Sequence, residues 1–196
     1  MNTRQFLKVS LLGAGAAALC SRAHALEFYP SPSAKKWAVL YGTWCGSSRD
    51  AGVWISEGMN GIAQVFDVRE NPDLSSYDHI VAGGAIRSGK VSAELQDYLR
   101  KHQAMLAPKI RGLFAVCGNG MQPPGTAQVK ALIDQHLAAL CGISGVPSRV
   151  FLGRITYGLM DEASRKTIEG FGMPEYDNLK RADCMAFGKE ILNKSV

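Results

Sequence analysis

The chain has 196 residues, 46% of them hydrophobic, and a formal charge of +5. That length suits one domain better than two, and the composition supplies a core, which excludes a disordered, coiled-coil or repeat-array protein. Arg4, Lys8 and Arg22 precede Leu26 and no acid does, so three of the 22 basic residues drop out there, leaving 19 against 17 acidic ones, a net +2, too little for a nucleic-acid or anionic-membrane surface.

Residues 1–25 read as an export signal peptide. Arg4 and Lys8 start it, Val9 to Leu19 is apolar and rich in Ala and Gly, and Ala23-His24-Ala25 fits a small-x-small cleavage site. The apolar run is too short to cross a bilayer, which takes about 20 residues. Thr3 to Lys8 also resembles the twin-arginine signal S-R-R-x-F-L-K, with Thr3 in place of the first arginine. Either the twin-arginine-like or the general secretory route leads to the periplasm. A lipoprotein signal ending at Cys20 is disfavoured by Leu19, where a small residue belongs. Residues 26–35 read as a short linker and residues 36–196 as the folded domain. Cleavage leaves Cys45, Cys117, Cys141 and Cys184. Export would permit a disulfide, but the spacings match no zinc pattern, and separate buried thiols are the simplest expectation.

From Lys35 the hydrophobic period alternates. Trp37 to Tyr41 is a short apolar run stopped by Gly42, the pattern of a buried strand. Ser48 to Met59 places Ala51, Ile55 and Met59 on one helical face, and Ala63 to Val68 is a second strand. Turn residues Glu70 to Asp73 precede a third strand, His79 to Ala82, which runs into Gly83-Gly84. Ser92 caps a helix carrying Leu95, Tyr98, Leu99, Met105 and Leu106 on one side. Leu113 to Val116 is the fourth strand. A Gly- and Pro-rich loop then leads to a helix from Thr126 with Val129, Leu132, Ile133, Leu137 and Leu140 in register. Arg149 to Gly153 is the fifth strand. Helices over Met160 to Phe171 and Leu179 to Leu192 close the chain, flanking Met173-Pro174, and would cover the sheet or dock a partner.

Alternating strands and helices predict an α/β domain with a five-stranded parallel sheet covered on both faces, because parallel neighbours need crossover connections. Ligands of such sheets lie beyond the strands' carboxyl ends where the strand order reverses. The loops after strands one, three and four are therefore the candidate site. After strand one, Gly42 to Ser48 offers glycine and hydroxyl residues at a helix N-terminus, where free N–H groups and the helix dipole suit a phosphate.

That loop resembles the flavodoxin phosphate loop [ST]-x-T-G-x-[TS], with Thr43, Gly46 and Ser48 in register and Cys45 in place of a threonine. After strand three, Gly83-Gly84-Ala85-Ile86-Arg87-Ser88-Gly89 and the helix ending Arg100-Lys101-His102 resemble the flavodoxin-type menaquinone-dependent protoporphyrinogen dehydrogenases, which carry G-[AG]-x-I-R-x-G before a similar helix. The likeness spans most of residues 36 to 192. It implies a flavodoxin-like three-layer sandwich with strand order 2-1-3-4-5. It also implies non-covalent FMN, its phosphate held by Thr43, Trp44, Cys45, Gly46, Ser47 and Ser48. Ala85, Ile86, Arg87, Ser88 and Gly89 would border one edge of the ring, and Cys117, Gly118 and Asn119 another. Flavodoxins stack an aromatic residue on the flavin. Here Ser88 takes that place, and Trp44 is the ring the phosphate loop offers. Stacking of this kind adds about 0.5–1.5 kcal/mol.

The resemblance implies an FMN-dependent oxidoreductase passing electrons to a quinone or similar acceptor, and the signal-like residues 1–25 make it an exported one, touching a membrane only through the quinone. No side chain need act as acid, base or nucleophile, and the sequence suggests no metal site. Arg87 is expected either to serve the flavin or a carboxylate substrate, or to pair with a nearby acid on the surface. An electron carrier, or a flavin-free module binding a protein partner, is the alternative, and the oligomeric state is open. Trp44-Cys45-Gly46-Ser47-Ser48 also resembles the thioredoxin W-C-G-P-C site, but Ser48 stands where the second cysteine belongs. No G-x-S-x-G elbow, dinucleotide G-x-G-x-x-G or metal-ligand spacing is present.

Overall fold

The computed structural model describes residues 30–118 and 124–195, so the proposed signal, the start of the linker and Asn119 lie outside the described residues. β1 (Trp37–Gly42), β2 (Ala63–Asp67), β3 (His79–Ile86), β4 (Ile110–Cys117) and β5 (Ser148–Leu152) pair in parallel in the order β2-β1-β3-β4-β5. β1 is buried along its whole length and pairs on both sides. The chain steps from β1 to β2 and then back across it to β3, so the order reverses at β1 and β3.

Side chains alternate between faces with the strand period of two. Val39, Tyr41, Val81, Phe114 and Phe151 pack on α1 (Ser47–Gly58) and α6 (Arg181–Ser195), meeting Ala51, Ile55, Phe187 and Ile191. On the other face Ala38, Leu40, Ile80, Ala82 and Leu113 meet Leu95 and Leu99 of α2 (Ala93–Lys101), Leu106 of α3 (Gln103–Leu106), and Ile133 and Leu137 of α4. α4 runs from Thr126 to Cys141, and its middle, Lys130–Ala138, is wound as a wider π-helix. Each fully buried Leu, Ile or Phe contributes about 1.5–3 kcal/mol of transfer free energy.

Two features differ from the sequence expectation. β3 continues through Gly83-Gly84-Ala85 to Ile86, so part of the expected loop is strand. A Cβ on Gly83 would strike the Phe114 carbonyl, and one on Gly84 would lie 2.8 Å from the Gly42 carbonyl oxygen. The glycines thus serve close packing here and not a turn. The second difference lies between β5 and α6. A two-stranded antiparallel ribbon, β6 (Arg154–Ile155) with β7 (Tyr176–Asp177), carries α5 (Glu162–Gly170) between its strands. Of the two closing helices only α6 covers the sheet, since α5 gives no residue to either core cluster.

α1 and α6 cross with their backbones in contact. A Cβ on Gly58 would collide with the Met185 carbonyl, and one on Gly188 with that of Ile55. Gly188→Ala is expected to lower stability by about 1–3 kcal/mol, read as a lower urea midpoint at unchanged m-value.

His136 joins α4 to the start of α2. Its Nε2 accepts the Val91 N–H at 3.0 Å, and burial, with Lys90 and Arg100 nearby, holds the imidazole below its usual 6.5. The unfolded chain therefore takes up a proton first as pH falls. The contribution is fully present above the unfolded value and is lost as pH drops below it. Burial shifts His79 the same way. Urea midpoints should fall between about pH 7.5 and about pH 5.5, and the fall should be shallower in His136→Gln.

Candidate functional site

The loop after β1 turns sharply into α1. Thr43 Oγ1 accepts the Gly46 N–H at 3.0 Å, and Gly46 adopts φ +84°, a left-handed conformation that suits glycine. No side chain caps α1, so its first N–H groups lack the usual intrahelical or capping partner. Ser47 and Ser48 are buried just inside the helix. Ser47 Oγ accepts the Arg154 N–H at 3.4 Å, whereas Ser48 Oγ is buried with no hydrogen-bond partner. Leaving such a hydroxyl unpaired costs about 1–3 kcal/mol. A helix end that is donor-rich, uncapped and short of an acceptor matches the needs of an anion.

After β3 the chain forms a two-residue hairpin. Arg87 and Lys90 exchange backbone hydrogen bonds of 2.9 and 3.1 Å, with Ser88 at φ +51° and Gly89 at φ +77°. Two consecutive left-handed residues give the turn whose twist matches its arms. Among the described residues, Arg87 pairs directly with no acid. Its Nη1 donates to Ser164 Oγ at 2.8 Å, and that hydroxyl donates to Asp161 Oδ2 at 2.6 Å. Asp161 also accepts the Ser164 N–H at 2.8 Å and so caps α5. The hydroxyl and N–H of Ser164 hold this carboxyl below the usual aspartate range, with Arg87 adding to the effect. One chain of hydrogen bonds thus fastens the hairpin to α5.

At the end of β4, the Cys117 carbonyl accepts the Gly153 N–H at 2.8 Å, and the Tyr176 hydroxyl donates to the Gly118 carbonyl. The three strand ends enclose a cleft of about 170 Å³. Of the residues expected from sequence, Trp44, Cys45, Ser47, Ala85, Ile86, Arg87, Cys117 and Gly118 line it. Thr43, Gly46 and Ser48 shape the turn beside it, and Ser88 and Gly89 form the exposed hairpin tip.

The sequence reading missed the opposite wall, built by Arg154, Ile155, Met160, Ser164, Ile168 and Met173 from the segment around α5. No motif marks those residues, and a two-residue strand leaves no periodicity to detect. Their side chains narrow the space below the roughly 300–1,000 Å³ common for small-molecule sites. Flexible Met160 and Met173 are the side chains best able to give way.

All four described cysteines are free, and burial pushes the Cys141 and Cys184 thiols up to about 12. Among the described residues no three His, Cys, Asp or Glu side chains converge to hold a metal, and no helix is long and apolar enough to cross a membrane.

Fold and cleft define an open parallel α/β domain of the doubly wound class, with its cleft where the strand order reverses. The flavodoxin domain family matches residues 38–176, and the chain belongs to that family. Solved structures are similar in fold. Oxidised flavodoxin 1 from Bacillus cereus is 13% identical, with 80% of this chain and 97% of that one covered at a TM-score of 0.52. A short-chain flavodoxin associated with a bacterial microcompartment is 12% identical, with 82% and 98% covered at 0.50. No curated protein sequence matches the chain.

Asp161→Ala removes both the α5 cap and the end of the Arg87 chain. Amide exchange in α5 is expected to speed up about five- to tenfold, from about 1 kcal/mol of lost capping, while the β1 and β3 amides are unchanged. Equal acceleration everywhere would show that α5 opens only with the whole fold.

Proposed function

We propose that this chain is an exported FMN-dependent oxidoreductase that passes electrons from a reduced substrate to a quinone or similar apolar acceptor. The observation that carries the reading is the start of α1, where a buried, unpartnered Ser48 hydroxyl lies beside uncapped N–H groups at the point of strand reversal. Membership of the flavodoxin domain family supports the same cofactor. The Ile86-Arg87-x-Gly89 segment at the cleft edge supports kinship with quinone-linked dehydrogenases of this fold. Export rests on residues 1–25, and residues 36–196 are proposed to form the flavodoxin-like domain.

FMN would supply the reversible electron chemistry. The chain's own residues bind, orient and exclude water. Ser47, Ser48 and the first N–H groups of α1 would receive the phosphate. Ile86, Val116, Ile155 and Ile168 give the ring an apolar bed that keeps water out. Arg87 at the hairpin sets a positive charge at one edge, steadied by Ser164 and Asp161. Trp44, partly exposed on the phosphate loop, is the aromatic side chain on the cleft wall. A pure electron carrier is the second reading. It is favoured by the tight roof over the cleft, which leaves little room for a second molecule beside a flavin.

Titration of the purified full chain with FMN is expected to quench flavin fluorescence at a single site. Gly46→Val, which strains a left-handed position, should weaken binding at least about tenfold. The loaded protein should then reduce a soluble quinone when given a reductant. Binding without quinone turnover would move the assignment to the carrier. Absence of binding at millimolar FMN would leave a flavin-free partner-binding module.

A further inference from the structure

β6 lies directly on the phosphate loop. The Arg154 N–H reaches Ser47 Oγ at 3.4 Å, and the Cys45 thiol donates to the Arg154 carbonyl at 3.7 Å. This seats the Arg154 side chain at the N-terminal end of α1, on the cleft wall and only 16% exposed. Its Nη2 pairs with Asp50 in the first turn of α1, and its Nη1 lies 3.6 Å from Asp177. Its Nε is buried without a partner.

Among the described residues, the buried side-chain polar atoms lacking a partner are Ser48 Oγ, Arg154 Nε and His79 Nδ1. Two of these belong to the same helix end. An arginine with a buried donor left over reaches the same helix end that carries a buried hydroxyl left over, and each is short of an acceptor. Asp50 does not meet that need, because its carboxylate is already engaged. It accepts from Arg49 Nε and Nη2 at 3.2 Å as well as from Arg154. Arg49 would therefore keep Asp50 neutralised if Arg154 turned towards another anion.

We propose that Arg154 is the counter-charge for the terminal phosphate of the bound flavin and makes the site select a phosphorylated flavin over riboflavin. This rests on the FMN reading above and adds a residue from outside the phosphate loop. Guanidinium presents a fork of donors that matches phosphate oxygens, and such charge-assisted bonds are stronger than those from the neutral loop. Asp50 and Asp177 hold the fork in place while the site awaits its ligand. They also oppose phosphate entry, so the first-turn acid acts as a brake on affinity.

A purely structural role, tying the roof to α1, would affect every flavin alike. The test therefore compares FMN with riboflavin by fluorescence quenching on the purified full chain and its variants. Arg154→Met is expected to raise the FMN dissociation constant at least about tenfold and that of riboflavin less than about twofold. Asp50→Asn, which releases the fork and removes an anion, should lower the FMN constant by about threefold or more with riboflavin unchanged.

Equal losses for both flavins in Arg154→Met would overturn the proposal in favour of a roof tie. So would a wild-type chain that binds the two flavins equally. If Arg154→Met does not fold, Asp50→Asn decides: an unchanged FMN-to-riboflavin ratio rejects the proposal. A wild-type chain that binds neither flavin removes the FMN reading and the Arg154 role together. Binding of FMN with the wrong pattern in the variants removes only the latter.

Discussion

Strand β1 constrains the rest of the molecule. It hydrogen-bonds on both sides and is buried along its whole length, so its backbone groups are satisfied only while neighbouring strands hold their parallel register. It ends at Gly42, where Ser92 Oγ and Leu95 Cβ lie 3.0 Å from the place a Cβ would take. The chain must then leave the sheet and begin a helix at once. It does so by a Thr43 hydroxyl bond and a left-handed Gly46, with no side chain spent on capping. Free N–H groups thus emerge between the two strands that diverge in order. The candidate site is a consequence of how β1 stops.

The segment between β5 and α6 then determines what the opening is like. An open sheet end would leave it broad and wet. Here β6, β7 and α5 close over it, held by Arg154 to Asp50, Tyr176 to Gly118 and Arg87 through Ser164 to Asp161. Each tie joins this roof to a different strand end or its loop, so the roof reports on all three loops at once. The apolar Ile155, Met160, Ile168 and Met173 line the cleft together with the polar Arg154, Asp161 and Ser164. Few apolar contacts hold α5 otherwise, and helices of that kind open more readily than a sheet core.

How much of this could be read in advance depends on the range of the interactions. Val39, Leu40, Leu95 and Leu137 announce their elements because their spacing repeats within a few residues. Gly46, Ser47 and Ser48 announce a helix start for the same local reason. Gly83 and Gly84 mislead: glycine pairs usually mark turns, yet here they sit inside β3, where the Phe114 and Gly42 backbones come too close for a Cβ. Arg154 and Ser164 gave no signal. Their partners, Asp50 and Arg87, are far away in sequence, and one arginine or serine in a polar stretch carries no pattern.

The sequence by itself determined the alternation of five strands with helices, the parallel sheet that alternation demands, and the three loops at its carboxyl end. These follow from hydrophobic period and from crossover geometry, which operate within or between adjacent elements. Tertiary structure alone decided the closed roof, the pairing of Arg154 with the first turn of α1, and the orphaned Ser48 hydroxyl. Those depend on which groups meet across the fold, and burial leaves a group without a partner only once every neighbour is in place.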